Sequence, residues 1–117
     1  MSLFEELKEL GTDIDEGLAR LGGNKALYER LLDSFIKAME TNNVEPDFDV
    51  ADLETIIEKT HAIKGVAGNL SITPIYEAYT NIVALLRKGE TGQARKALKD
   101  IKSVQENIIQ CIKKYKN

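Results

Sequence analysis

Apolar residues recur every three or four positions along almost the whole chain, and no stretch sustains the period-two alternation of a half-buried strand. This pattern predicts an all-α fold. Ser2 and Glu5 form a capping-box pair ahead of Leu3–Leu10, with Gly11 as the stop, which predicts a short first helix. Asp13 is placed to cap a second short helix carrying Ile14, Leu18 and Leu21. That helix should end at Gly22-Gly23, because glycine enters the left-handed closing conformation without a Cβ penalty.

After Asn24, the stripe Leu27, Leu31, Phe35, Ile36 and Met39 predicts a long helix from Lys25 to about Thr41, broken by Asn42-Asn43 and Pro46. Asp49 or Asp52 should cap the next, whose stripe is Leu53, Ile56, Thr60, Ile63, Ala67 and Leu70. Thr73 as N-cap with Pro74 at the first helical position restarts the chain, and this helix should reach Lys88 and stop at Gly89. Thr91 is expected to cap the last helix, whose apolar positions Ala94, Leu98, Ile101, Val104, Ile108 and Ile112 keep core spacing to the carboxyl end. Four long helices with short connections predict an antiparallel four-helix bundle preceded by one or two short N-terminal helices.

At 117 residues the length fits one domain, read as a core over 13–117 behind an N-terminal helix or linker segment over 1–12. A formal net charge of -3 supplies no basic field for a polyanion, so nucleic acid is not an expected partner. With one cysteine (Cys111) and one histidine, the chain has neither an internal disulfide nor a Cys-His metal set. The absence of a long apolar run and an acidic amino end predict a cytoplasmic protein without a membrane partner.

The single histidine, His61, changes the picture most. At about 100° per residue, Glu54, Ile57, Lys64, Gly65 and Gly68 fall within about 60° of it, whereas Ile56, Ile63 and Leu70 fall near the opposite side. His61 therefore points away from the core, beside a cation and a clearing. Each mid-helix glycine is disfavoured by about 1 kcal/mol relative to alanine, so their position on the histidine stripe implies that something approaches closely there. Ile57, apolar beside His61, is a candidate contact beneath a partner.

The run His61-Ala-Ile-Lys64-Gly65-Val-Ala67-Gly68-Asn69-Leu70 closely resembles the signature of histidine-containing phosphotransfer (HPt) domains, and Ile14–Gly23 resembles that family's opening helix. The resemblance extends from about Asp13 to the carboxyl end. It implies a phosphorelay intermediate and not an enzyme: His61 accepts a phosphoryl group from a receiver-domain aspartate and passes it to another receiver. Lys64 would neutralise phosphoryl charge, and Gly65, Gly68 and Ile57 would meet the docking receiver. Mg²⁺ would come from the receiver, leaving this chain with no cofactor or metal of its own. Its partners would be response-regulator receiver domains, with a hybrid sensor histidine kinase as a candidate partner or parent, and a monomer is expected.

Two positions depart from the family pattern. Where Leu-Gly is common the chain has Leu70-Ser71, which puts the closure of that helix in question. Some members hold the imidazole with a polar side chain from the following helix; the nearest positions here are Thr80 and Val83, and valine is unable to do so. Thr80 or Tyr76 is the candidate substitute, and Arg87 a candidate extension of the basic side. The rival readings are a sensor-kinase phosphoacceptor domain and a bundle that acts only as an adaptor. Ala62 stands where the former carries an acidic residue, and adaptors descended from this family generally lack the histidine.

Overall fold

The computed structural model describes residues 1–116, which contain six α-helices, one 3₁₀ turn and no strand. The helices are α1 (Leu3–Glu9), α2 (Ile14–Arg20), α3 (Lys25–Thr41), α4 (Leu53–Asn69), α5 (Thr73–Arg87) and α6 (Thr91–Lys114), with the 3₁₀ turn Val50–Asp52 leading into α4. Helix α4 packs on α5, α5 on α6, and α3 on both α4 and α6, while α1 and α2 lie against α6 and α3 respectively.

Several termini follow the local chemistry. Ser2 and Glu5 form the reciprocal capping box, Asp13 accepts from the Glu16 amide, and Asn24 accepts from the Leu27 amide. Three of the expected caps differ. Thr73 and Thr91 are the first residues of their helices instead of N-caps, Ile72 and Glu90 take the cap positions, and neither cap bonds through its side chain. The Thr73 hydroxyl donates instead to the Ser71 carbonyl at 3.2 Å. Asp49 caps the 3₁₀ turn through the Ala51 amide, and Asp52 at the start of α4 makes no side-chain cap.

Packing also rotates the expected stripe of α3. Tyr28 and Leu32 are buried with Phe35, Ile36 and Met39, whereas Leu27 and Leu31 are only half-buried. Tyr28 displaces the leucines because its polar tip finds a partner inside: the phenol donates to the Leu70 carbonyl at 2.6 Å while the Phe4 ring meets it edge-on at 5.6 Å. Burial pushes this phenol's pKa well above its ordinary range. Gly17 is buried beneath the same contact, where a Cβ would lie 2.8 Å from both the Leu70 oxygen and Tyr28 Cε2. The amino-terminal helices are thereby fastened to the end of α4.

At the other end, Arg95 lies over the Phe48 ring and donates to the Phe48 carbonyl at 3.0 Å, holding the α3–α4 connection on α6. The lysines at the carboxyl end are ion-paired: Lys113 with Glu40, Lys114 with Glu6, and Lys116 with Asp33. The hydrogen bond from Lys114 at 2.7 Å holds the Glu6 carboxyl below its ordinary value of 4.5. A depressed carboxyl adds stability above its ordinary pKa, and this is lost as pH falls through the folded value. Acidification below about pH 4.5 should therefore loosen α1 from α6, and Glu6→Gln should flatten the acid limb of a plot of Tm against pH.

Candidate functional site

His61 is exposed on the third turn of α4, while Thr60 and Ile63 beside it are fully buried. Thr60 returns its hydroxyl to the Ile56 carbonyl at 2.9 Å, so the polar residue on the inner face is satisfied within the helix. The imidazole opens onto a cleft of about 620 Å³ with three walls. Helix α4 contributes His61, Lys64, Gly65, Gly68 and Asn69; α2 with its cap contributes Asp13, Glu16 and Arg20; the α4–α5 corner and first turns of α5 contribute Ser71, Thr73, Tyr76 and Glu77.

Lys64 is half-buried, one turn from His61, and makes no ion pair with any carboxylate among the described residues. The acidic residues that share the cleft, Asp13, Glu16 and Glu77, thus lie beyond ion-pair distance of its ammonium. By contrast, Arg20 at the far side of the cleft is paired with Glu16 at 3.0 Å. Among the described residues no group of three or more His, Cys, Asp or Glu side chains is placed to hold a metal ion.

The two glycines of the stripe have different environments. A Cβ on Gly65 would meet nothing within 4 Å, so the fold itself does not require glycine there. On Gly68 it would lie 2.9 Å from Cδ1 and Cε1 of Tyr76, whose ring sits in the space that the missing side chain leaves. Gly68 is explained by an internal contact, whereas Gly65 has none. Gly65→Ala should thus raise stability by about 0.5–1 kcal/mol through helix propensity, whereas Gly68→Ala should lower it by about 1–3 kcal/mol through overpacking. Urea melts of the two variants measure the contrast.

Of the remaining candidates, Ile57, Thr80, Val83 and Arg87 do not line the cleft. Ile57 is half-buried and packs against the core. Thr80 is exposed, but its hydroxyl donates to the Tyr76 carbonyl of its own helix at 2.7 Å, and Val83 is buried in the core. Arg87 is exposed ten residues beyond Glu77, roughly 15 Å farther along α5 at 1.5 Å per residue. Tyr76 does line the cleft, 40% exposed, with its ring on Gly68.

Sequence reasoning missed the α2 wall, Glu16 and Arg20, and the part played by Ser71. Arg20 donates to the Gly68 carbonyl 48 positions away, a separation at which no periodicity signals contact. Ser71 alone left a trace, as the departure from Leu-Gly. A groove of similar size, about 600 Å³, lies between α1, α3 and α6, but neither imidazole nor thiol lines it. Comparison of the chain with family models, with curated proteins and with solved structures finds no match in any of the three.

Proposed function

We propose that this chain is a phosphorelay intermediate of the HPt kind, in which His61 accepts a phosphoryl group from a receiver-domain aspartate and hands it to another. The observation that carries the reading is the pairing of an exposed mid-helix imidazole with a lysine one turn away that makes no ion pair among the described residues, in an open cleft. An imidazole ring nitrogen attacks phosphorus, the N–P bond forms as the P–O bond of the aspartyl phosphate breaks, and the carboxylate leaves with the bonding pair. Transfer onward is the reverse reaction with a second carboxylate.

Lys64 balances the charge of the transferring group, whose oxygens remain anionic throughout. Gly65 leaves room for the partner to bring its aspartate in line with the ring. Magnesium and the remaining catalytic groups are assigned to the receiver, so this chain acts as substrate and carrier instead of enzyme. Ile57 is given a role only at the margin of the docked partner. Thr80 and Arg87 receive none.

The helix packing is read as an antiparallel four-helix bundle. Support comes from the cyclic contacts among α3, α4, α5 and α6 and the three-residue links α4–α5 and α5–α6. A cytoplasmic monomer with transient receiver partners follows from the same assignment; no helix among the described residues is long and apolar enough to cross a membrane.

Two experiments test the reading. Incubation with ATP alone should leave the chain unlabelled, because no nucleotide-binding pattern accompanies His61; labelling would instead support a kinase phosphoacceptor domain. Lys64→Ala should slow transfer from a phosphorylated receiver roughly tenfold, the scale of a lost charge-assisted contact. An unchanged rate would show Lys64 to be merely solvated.

A further inference from the structure

We infer that Arg20, outside the reacting group, is a positioning residue that fixes the last turn of α4 for the docking partner. The functional part of this inference rests on the phosphotransfer reading. Helix ends leave carbonyls without intrahelical partners, and at the end of α4 these are taken up in an unusual way. Helix α4 closes with the Ile72 amide on the Ala67 carbonyl at 2.9 Å and the Ser71 amide on the Gly68 carbonyl at 3.2 Å, the doubly bonded closure that needs a left-handed residue. Ser71 supplies it at φ +56°, the one non-glycine residue with positive φ among those described.

Glycine would adopt that conformation freely, whereas serine is disfavoured there. The compensation is the hydroxyl, on a residue only 3% exposed: Ser71 Oγ accepts from Arg20 Nη1 and donates to Glu16 Oε1 at 2.7 Å. Arg20 completes the set, with Nη1 also donating to the Gly68 carbonyl at 2.9 Å and Nη2 to Glu16 Oε1 at 3.0 Å. One planar guanidinium thus binds the backbone of α4, the strained serine and its own helix at once. A lysine ammonium, lacking the flat fork, is unable to replace it.

Gly68, which Arg20 holds, is also the seat of Tyr76 and a wall of the His61 cleft. It lies seven residues beyond His61, roughly 10 Å along the helix, so what Arg20 fixes through Gly68 is the far wall of the cleft. Loss of Arg20 should let the last turn of α4 open without altering the chemistry of His61.

The test uses Arg20→Ala, Arg20→Lys and Ser71→Gly in the full chain, with two donors. Phosphoramidate is small and transfers its phosphoryl group directly to imidazole, its own N–P bond breaking as ammonia leaves. Labelling by it should be unchanged within about twofold in every variant. Transfer from a receiver domain loaded with acetyl phosphate should fall about tenfold for Arg20→Ala at low receiver concentration and recover at saturation, a rise in KM at constant kcat. Arg20→Lys should not rescue, and Ser71→Gly should leave KM close to wild type, because glycine holds the same φ and Arg20 keeps the Gly68 carbonyl.

Wild-type transfer in Arg20→Ala, full rescue by lysine, or equal slowing with both donors would overturn the inference. Should circular dichroism show Arg20→Ala unfolded, Arg20→Lys decides, since it keeps the stem and the charge: a wild-type KM there overturns the inference. If no receiver labels the wild type although phosphoramidate does, the phosphotransfer reading fails separately. Hydrogen exchange at the Ser71 and Ile72 amides of Arg20→Ala then decides the structural part, faster exchange upholding it and unchanged exchange overturning it.

Discussion

His61→Gln should abolish acceptance of phosphoryl groups from receiver domains, a loss of at least about a thousandfold, because glutamine is similarly polar but has no nucleophilic ring nitrogen. The ring is exposed on a helix whose buried side is formed by Ile56, Thr60, Ile63 and Ala67, so the substitution removes no core contact. Stability should change by less than about 0.5 kcal/mol, as for surface substitutions generally. Radiolabel transfer, with circular dichroism as the control for folding, measures both quantities. Retained acceptance in the variant would place the phosphoryl group on another residue and refute the role of His61.

The largest expected effect on stability belongs to Tyr28→Ala. This side chain is fully buried, touches Phe4 edge-on, packs over the space left by Gly17, and donates to the carbonyl of Leu70. Its removal creates a cavity among α1, α2 and the end of α4 and leaves a carbonyl without its donor. Together these should cost about 3–5 kcal/mol and lower Tm by more than about 10 °C. Tyr28→Phe separates the parts: it keeps the packing and loses the donor, at about 1–3 kcal/mol. If both variants lost the same amount, the hydrogen bond would account for the whole effect and packing for none; a loss under 1 kcal/mol for Tyr28→Ala would contradict the fastening of the amino-terminal helices to α4.

Much of this architecture was legible in the sequence because it is local. The box of Ser2 and Glu5, the caps Asp13 and Asn24, and the apolar stripe of α4 all depend on residues within a few positions of one another. On α6 the expected stripe holds at Ala94, Leu98, Ile108 and Ile112, whereas Ile101 and Val104 are half-buried and Gln105 is buried, its amide oxygen accepting from the Tyr79 hydroxyl at 2.6 Å. The buried stripe of α3 differs by one position at its start, because aliphatic spacing favours Leu27 and Leu31, whereas a tyrosine with a buried acceptor fills the core better than a leucine without one. Residue type alone favours Thr73 and Thr91 as caps. One hydroxyl is used by the Ser71 carbonyl, and both helices begin at the threonine instead of after it.

The site was legible along one helix and obscure across helices. His61, Lys64 and Gly65 share a face by helical geometry, and the structure brings them to one cleft. Gly68 shares that face as well, but its cause is the Tyr76 ring from α5, which spacing within α4 does not disclose. Ser71 is a similar case. Serine at 71, in place of the glycine that the resemblance leads one to expect, points to an altered closure, but the helix closes in the left-handed manner all the same, because Arg20 and Glu16 from α2 hold the hydroxyl. Such compensation depends on partners about fifty residues away and has no local signal.

The central claim is that His61 exchanges phosphoryl groups with receiver aspartates, and a transfer profile tests it most directly. Each receiver domain of the source organism, loaded with phosphate, is incubated briefly with the chain, and the labelled residue is mapped. The account expects rapid label from at least one receiver, all of it on His61, stable to alkali and lost in acid as an N–P bond should be, and returned when a second, unphosphorylated receiver is added. No transfer from any receiver, or label on a residue other than His61, would contradict it.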